Sequence, residues 1–415
     1  MKSDLDALMK DRNMDAILVL GDVEHNPPMY YIVGGGHVRG ALLLKKRDEA
    51  PVLFHNDMER DEAAKSGLKT VSYSEFPITD FIEQANGNML IAHALRRQKI
   101  LLAYGLSAGR IGVYGKVNFS EEFGVMLELA KNLPGVEFIG EYGNDSIVQY
   151  ARETKDDVEV ARIRQMGAVT TTVVGMVSDY LTSCEVREDE VLLKEDGYPL
   201  TIGDVKGKIS LWLAERGAAD VEGTIFAIGR DAGVPHSVGT PEDLITLGKT
   251  IVFDIFPAEK GGGYFYDFTR TWSLGYATPE AQAYYDQVQE IYNKLVENLD
   301  LNAVFKDYQR MTCEYFESKG HKSQLNTPAP VEGYVHSLGH GFGLDIHERP
   351  SSKLQGSDDI LRPGVVITIE PGLYYPNEGM GFRIEDSYRV SPDGTIELLA
   401  EYPYDFVLEM KKWRK

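Results

Sequence analysis

Along the first 150 residues, short apolar runs alternate with longer polar stretches. DAILVL (15–20), GALLLKK (40–46), APVLFHN (50–56) and GRIGVYG (109–115) have strand length, whereas EEFGVMLELAKNL (121–133) spaces its apolar residues at helical period and stops at Pro134-Gly135. That alternation predicts an α/β domain. Beyond the acidic pair Asp156-Asp157 the pattern changes. Helical spacing runs through 158–181, 207–216 and 279–320, and strand-like runs dominate the rest: KTIVFDIF (249–256), GYFYDFTRTWSL (263–274), GVVITIEPGLYY (364–375) and GFRIEDSYRVS (381–391). Helices first and clustered strands later predict an α+β domain with an antiparallel sheet. The boundary is placed near residues 150–156, giving an N-terminal α/β domain over 1–155 and an α+β domain over 156–415. The polar segment 187–207 reads as an inserted loop or hairpin, and no internal repeat is visible.

Four acids stand where this pattern asks for apolar residues. Asp254 interrupts KTIVFDIF on the face shared by Val252 and Phe256, and Asp267, Glu370 and Glu385 do the same in the three later runs. A buried, ionised carboxylate needs a cation, a hydrogen-bond cage or a metal. Taken singly, each reads as a satisfied structural acceptor; four in one domain point to a shared site. If they converge, their four negative charges are neutralised by two divalent cations, and an oxygen-rich donor set with one imidazole suits Mn, Co, Fe or Zn. The stretch SLGHGFGLDIHERP (337–350), too glycine-rich for a good helix and too polar for a buried strand, supplies that imidazole: His340, in a Gly-His-Gly turn, is the candidate ligand.

Composition narrows the partners. A formal charge of -21 disfavours nucleic acid and anionic membranes, and the basic KKWRK (411–415) is too short to change that. The N-terminus has no signal-like apolar segment, and no run approaches the roughly 20 apolar residues of a membrane span. A soluble, cytoplasmic protein is expected. Cys184 and Cys313 read as reduced structural thiols.

The ordered set Asp254, Asp267, His340, Glu370 and Glu385, with PHS (235–237), GHGFGLDIHE (339–348), IEPG (369–372) and FRIED (382–386), resembles the pita-bread metallopeptidases. That family includes methionine aminopeptidase, aminopeptidase P, prolidase and the metal-free relative creatinase. The α/β domain in front is similar to that of the creatinase and prolidase branch. The resemblance implies that Asp254 chelates one metal, that Asp267 and Glu385 bridge two, and that His340 and Glu370 complete the other. It implies Mn as the favoured ion and a hydroxide held between the metals. Glu370 would move the proton, His236 and His347 would donate hydrogen bonds to the peptide carbonyl and oxyanion, and Arg383 would hold carboxylate ligands in place.

The resemblance implies hydrolysis of Xaa-Pro bonds at the N-terminus of short peptides by a homodimer. A residue to hold the free carboxylate of a dipeptide is harder to find: SSKLQGSDDILRPG (351–364) offers only Lys353 and Arg362. This tilts the expectation toward an Xaa-Pro aminopeptidase, with an Xaa-Pro dipeptidase (prolidase) as the alternative. A non-catalytic peptide-binding module and a creatinase-like hydrolase are disfavoured by the intact ligand set. Asp254 and Asp267 are 13 apart, longer than the resemblance implies, and the glycines Gly261–Gly263 are expected to absorb the excess in a hairpin tip.

Overall fold

Apolar runs buried on both faces need cover on both faces, and the first of them becomes the centre of a sheet. The computed structural model describes residues 4–356 and 358–413, so Arg414 and Lys415 of the basic C-terminal stretch lie outside the described residues. By contacts the chain divides into two compact units: the first runs to Arg152 and includes Gly261–Gly263, and the second holds the rest from Glu153.

In the first unit the strands are β1 (Ala16–Gly21), β2 (Ala41–Lys46), β3 (Val52–His55), β4 (Lys69–Ser72), β5 (Gly109–Lys116) and β6 (Val136–Ile139), and the helices include α1 (Met89–Ala103) and α2 (Phe119–Asn132). They form one mixed sheet in the order β4-β3-β2-β1-β5-β6, in which β1, β5 and β6 run parallel and β1, β2 and β3 antiparallel. Leu18, Leu20, Leu42, Leu44, Phe54, Ile111 and Leu129 make its core. The helices start at side-chain caps: Asn88 accepts from the amides of Leu90 and Ile91, and Asn118 from that of Ser120.

The second unit begins with α3 (Asp157–Ser183), started by a reciprocal capping box between Asp156 and Glu159. The segment expected to be a loop or hairpin is a hairpin at Glu185–Val186 and Leu192–Leu193, but its last residues already belong to α4 (Ile202–Glu215). Thr201 and Asp204 form a second capping box, and the apolar face of the helix runs from its first residue through Ile202, Val205, Ile209 and Leu213. The single helix expected over 279–320 is two, α5 (Pro279–Glu297) and α6 (Phe305–Ser318), which share a core with Ile367, Ile369, Phe382 and Tyr388.

Two sheets and a hairpin complete the frame of the site. β7 (Ile225–Ile228), β8 (Thr250–Ile255) and β9 (Phe268–Leu274) lie side by side in one sheet. β10 (His340–Gly341), β11 (Glu348–Ser351), β12 (Val366–Ile369) and β13 (Asp386–Val390, with its own neighbour at Ile396–Leu398) form another, in the order β11-β10-β12-β13. Residues 372–375 and 380–383 pair as a separate hairpin.

Two of the runs read as single strands are therefore broken, and the breaks fall at acids. Ile369 pairs with Asp386 in one ladder and Gly372 with Arg383 in the next, so Glu370-Pro371 stands across from Ile384-Glu385 where both strands leave one sheet for the other. Pro371 cannot donate to a ladder, which ends the strand there. Asp267 likewise precedes β9 rather than lying within it. Of the four acids expected inside strands, only Asp254 is.

Candidate metal centre

The register of β8 and β9 sets the first two acids. Asp254 faces Thr269, and Asp267 is two residues before Thr269, on the same face. The long connection between the strands leaves this parity intact. Thr269 also bridges to Glu385, whose Oε2 accepts from Thr269 Oγ1 at 2.7 Å. From the other sheet, His340 brings its Nε2 to 3.6 Å from Asp267 Oδ2 and 3.4 Å from Glu370 Oε1. Asp267, His340 and Glu385 each present a donor atom, and all three atoms lie within 4.8 Å of one another.

The Gly-His-Gly segment is a short buried strand rather than a turn, and the flanking glycines explain how. A Cβ on Gly341 would lie 1.9 Å from the Arg349 carbonyl oxygen, and one on Gly339 would lie 2.1 Å from that of Thr368. Only glycine lets both neighbouring chains close on His340. The polar residues of 337–350 that argued against a buried strand find partners: Glu348 with Lys155 at 3.0 Å, and Arg349 with Asp359.

The electrostatics are those of acids crowded away from water. Burial, then the neighbouring carboxylates Glu385, Asp254 and Glu370, raises Asp267 well above the usual range; burial and Glu385 do the same to Glu370. Glu385 is pushed up to about 8 by burial and by Asp254. His340 moves the other way, down to about 3, through burial and the neighbouring His347. It is therefore neutral. Its Nδ1 lies 3.1 Å from the Gly341 carbonyl, which can only accept, so the proton is on Nδ1 and the Nε2 lone pair faces the carboxylates.

One cation answers these acids directly. The buried Arg383 donates from Nη2 to Asp254 Oδ2, from Nη1 to Tyr374 Oη at 2.8 Å and from Nε to Thr269 Oγ1 at 3.2 Å. It grips a carboxylate and does not face open space, so its geometry is that of a positioning residue. Even so, Asp254 Oδ1 and Glu385 Oε1 are buried with no hydrogen-bond partner among the described residues. Native interiors rarely leave carboxylate oxygens so.

His347 packs its ring 4.3 Å from that of His340, and both His347 and His236 are exposed. The charge of His236 is felt at His347 and at His336. His336 did not enter the sequence reading, although it stands four before His340. Its Nδ1 donates to the Ser337 carbonyl at 2.7 Å, its Nε2 accepts from Tyr374 Oη at 2.8 Å, and Glu370 Oε2 is 3.8 Å away. Burial and Arg383 pull it down to about 3. Tyr374 thus links Arg383 to His336. Of the two cations noted for a substrate carboxylate, Arg362 pairs with Glu153 at 3.5 Å, whereas the exposed Lys353 acts electrostatically on both His340 and His347. Cys184 and Cys313 are free and buried.

The family model for metallopeptidase family M24 matches residues 161–392, more than half of the chain. The chain belongs to metallopeptidase family M24. Its relatives extend over the N-terminal unit as well: an Xaa-Pro dipeptidase from Pyrococcus horikoshii is 27% identical over 390 residues, 94% of each chain. The solved Xaa-Pro dipeptidase from Bacillus anthracis superposes with a TM-score of 0.76 at 21% identity over 98% of both chains. The X-Pro aminopeptidase from Thermotoga maritima gives 0.72 at 21% identity, over 95% of this chain and 97% of its own. The M24 unit has the pita-bread fold, preceded by a creatinase-like α/β unit.

A metallopeptidase of this family works with divalent metal ions, and the residues here fit them. The donor set is rich in hard oxygen with one neutral imidazole, and two of its buried oxygens are otherwise unanswered. No helix among the described residues is long and apolar enough to cross a membrane.

Proposed function

We propose that this chain hydrolyses the Xaa-Pro bond at the N-terminus of short peptides, using two divalent ions held by Asp254, Asp267, His340, Glu370 and Glu385, with Mn favoured by the hard donors. The observation that carries this reading is the convergence of Asp267, Glu370 and Glu385 on the neutral His340, with Asp254 joined to Glu385 across Thr269 and a buried oxygen of each of these last two acids left without a partner among the described residues. When bound, such ions supply Lewis acidity toward the scissile carbonyl and the attacking water.

The chain's own residues do the rest. Glu370, at the edge of the cluster, takes the proton of the attacking water and returns it to the proline nitrogen as the bond breaks. His236 and His347, on the open side, donate hydrogen bonds to the carbonyl oxygen as charge develops there. Arg383 fixes Asp254 and, through Tyr374, connects to His336.

Within this reading the full-length relatives named Xaa-Pro dipeptidase favour a dipeptide over the longer substrates of an aminopeptidase, and Lys353 is the cation available for its carboxylate. A cytoplasmic homodimer belongs to the same reading. The test is metal content of protein purified without chelator, with rates on Xaa-Pro dipeptides and Xaa-Pro-Yaa tripeptides with and without added Mn, Co or Zn. Metal-dependent cleavage is expected; absence of cleavage with every ion would refute the proposal, and the dipeptide to tripeptide ratio decides the branch.

A further inference from the structure

The first unit holds a cleft of about 570 Å³ lined entirely by its own residues. Its floor is formed by the ends of β1 and β5 at Gly21 and Lys116, adjacent parallel strands whose carboxyl ends are where open α/β sheets take ligands. One wall is α1, which presents His93, Arg96 and Arg97 on one face. The two arginines have different surroundings. Arg97 makes a two-pronged pair with Glu122 of α2, with Nη2 to Oε2 at 2.8 Å.

Arg96 forms no ion pair among the described residues. Its Cζ lies 4.3 Å above the Tyr73 ring, and one Nη donates to His93 Nδ1 at 3.2 Å. Its Nε is buried with no acceptor. Burial pulls this guanidinium below its usual range and likewise lowers His93, whose Nδ1 faces it. A half-buried arginine that is stacked and oriented but lacks an anion is unusual in a chain of formal charge -21, where acids are abundant.

We propose that this cleft binds a small organic anion, a carboxylate or a phosphate monoester, whose charge is met by Arg96. The volume fits a small molecule rather than a bare ion. Asp22, Glu24 and Glu121 also line the cleft, so the rest of the ligand carries hydrogen-bond donors such as hydroxyl or ammonium groups. The cleft shares no lining residue with the metal centre, and it gives the N-terminal unit a chemistry of its own.

The probes are γ-aminobutyrate and phosphoethanolamine, which share an ammonium end and differ in the anion. Each is titrated calorimetrically into the full, metal-loaded chain and into Arg96→Met, up to about 10 mM, well above the millimolar Kd of a weak site. The expected result is saturable binding of at least one probe to wild type that is weakened by about tenfold or more in Arg96→Met, with peptidase activity unchanged. The probe that binds tighter identifies the anion. Equal binding to both proteins, or none to wild type, overturns the proposal. If Arg96→Met does not fold, a wild-type crystal soaked with selenate decides alone: an anomalous peak within hydrogen-bond reach of Arg96 supports the site, and an empty cleft refutes it.

Discussion

Stripping the metal exposes the centre as an electrostatic liability whose size depends on pH. In the apo chain, Asp267, Glu370 and Glu385 hold protons more tightly when folded than when unfolded. A raised acid binds more protons in the native state, so its contribution to stability is fully present at low pH and falls as pH rises toward the folded value. For Glu385 the window runs from 4.5 to about 8. His336 and His340 act oppositely: each drops from 6.5 to about 3, so the stability they contribute is lost as pH falls below 6.5 and is complete above it. Between pH 6.5 and 8 the histidine contribution is nearly complete, while Glu385 is still titrating. Across that window Glu385 alone costs on the order of 2 kcal/mol, and Asp267 and Glu370 add to it with the same sign. At roughly 2 °C per kcal/mol for a unit of this size, the thermal transition of the chelated catalytic unit is expected to fall by roughly 4 °C or more. Scanning calorimetry with chelator and with excess Mn reads this directly. The Mn-loaded transition should be higher and much flatter over the same pH range, because the ions neutralise the carboxylates. Metal binding at pH 7 should also release protons, measurable as a buffer-dependent heat. An apo transition that stays level or rises between pH 6.5 and 8 would refute the reasoning, as would a transition indifferent to metal.

The remaining predictions concern single residues. Glu370→Gln is expected to lower turnover by roughly 100-fold or more in a folded protein; unchanged turnover would remove Glu370 from proton transfer. Arg383→Met leaves Asp254 without its cation and should weaken metal affinity by roughly 10- to 100-fold, read by competition with a chromogenic chelator; unaltered affinity would reduce Arg383 to a fold contact. His347→Ala should reduce turnover with metal content intact, and parallel loss of metal would place it among the ligands. Lys353→Met should raise KM severalfold for an Xaa-Pro dipeptide but not for the same dipeptide capped as an amide; equal effects on both would separate Lys353 from the substrate carboxylate.

The sequence made the two-domain plan and most long elements legible because each carries a strong period: β1, β8 and α3 appear close to where their apolar residues put them. Missed or misplaced elements were governed by signals other than periodicity. The start of α4 is marked by the Thr201 and Asp204 cap and by an apolar face whose first member, Ile202, stands alone in a polar and glycine-containing stretch, and the division between α5 and α6 falls in the link 298–304, whose leucines, alanine and valine hide the break among apolar residues. The glycine-rich stretch looked unfit for a strand because composition cannot say that two neighbouring chains would press on Gly339 and Gly341.

The acids stand out in the sequence because they are costly where they stand, although only Asp254 lies within a strand as expected. An acid within a continuous strand can only point to one face of one sheet. Glu370 and Glu385 instead occupy the step at which two paired strands change sheets. There Glu385 leaves both ladders and is held by a backbone bridge to Thr269, the residue that also faces Asp254. His336 escaped notice for the converse reason. Its polar character looked ordinary in a polar loop, and its importance comes from contacts with Tyr374 and Glu370 that no local pattern encodes. Residues that violate a local rule can be read from sequence; residues that obey one and act through a distant partner need the fold.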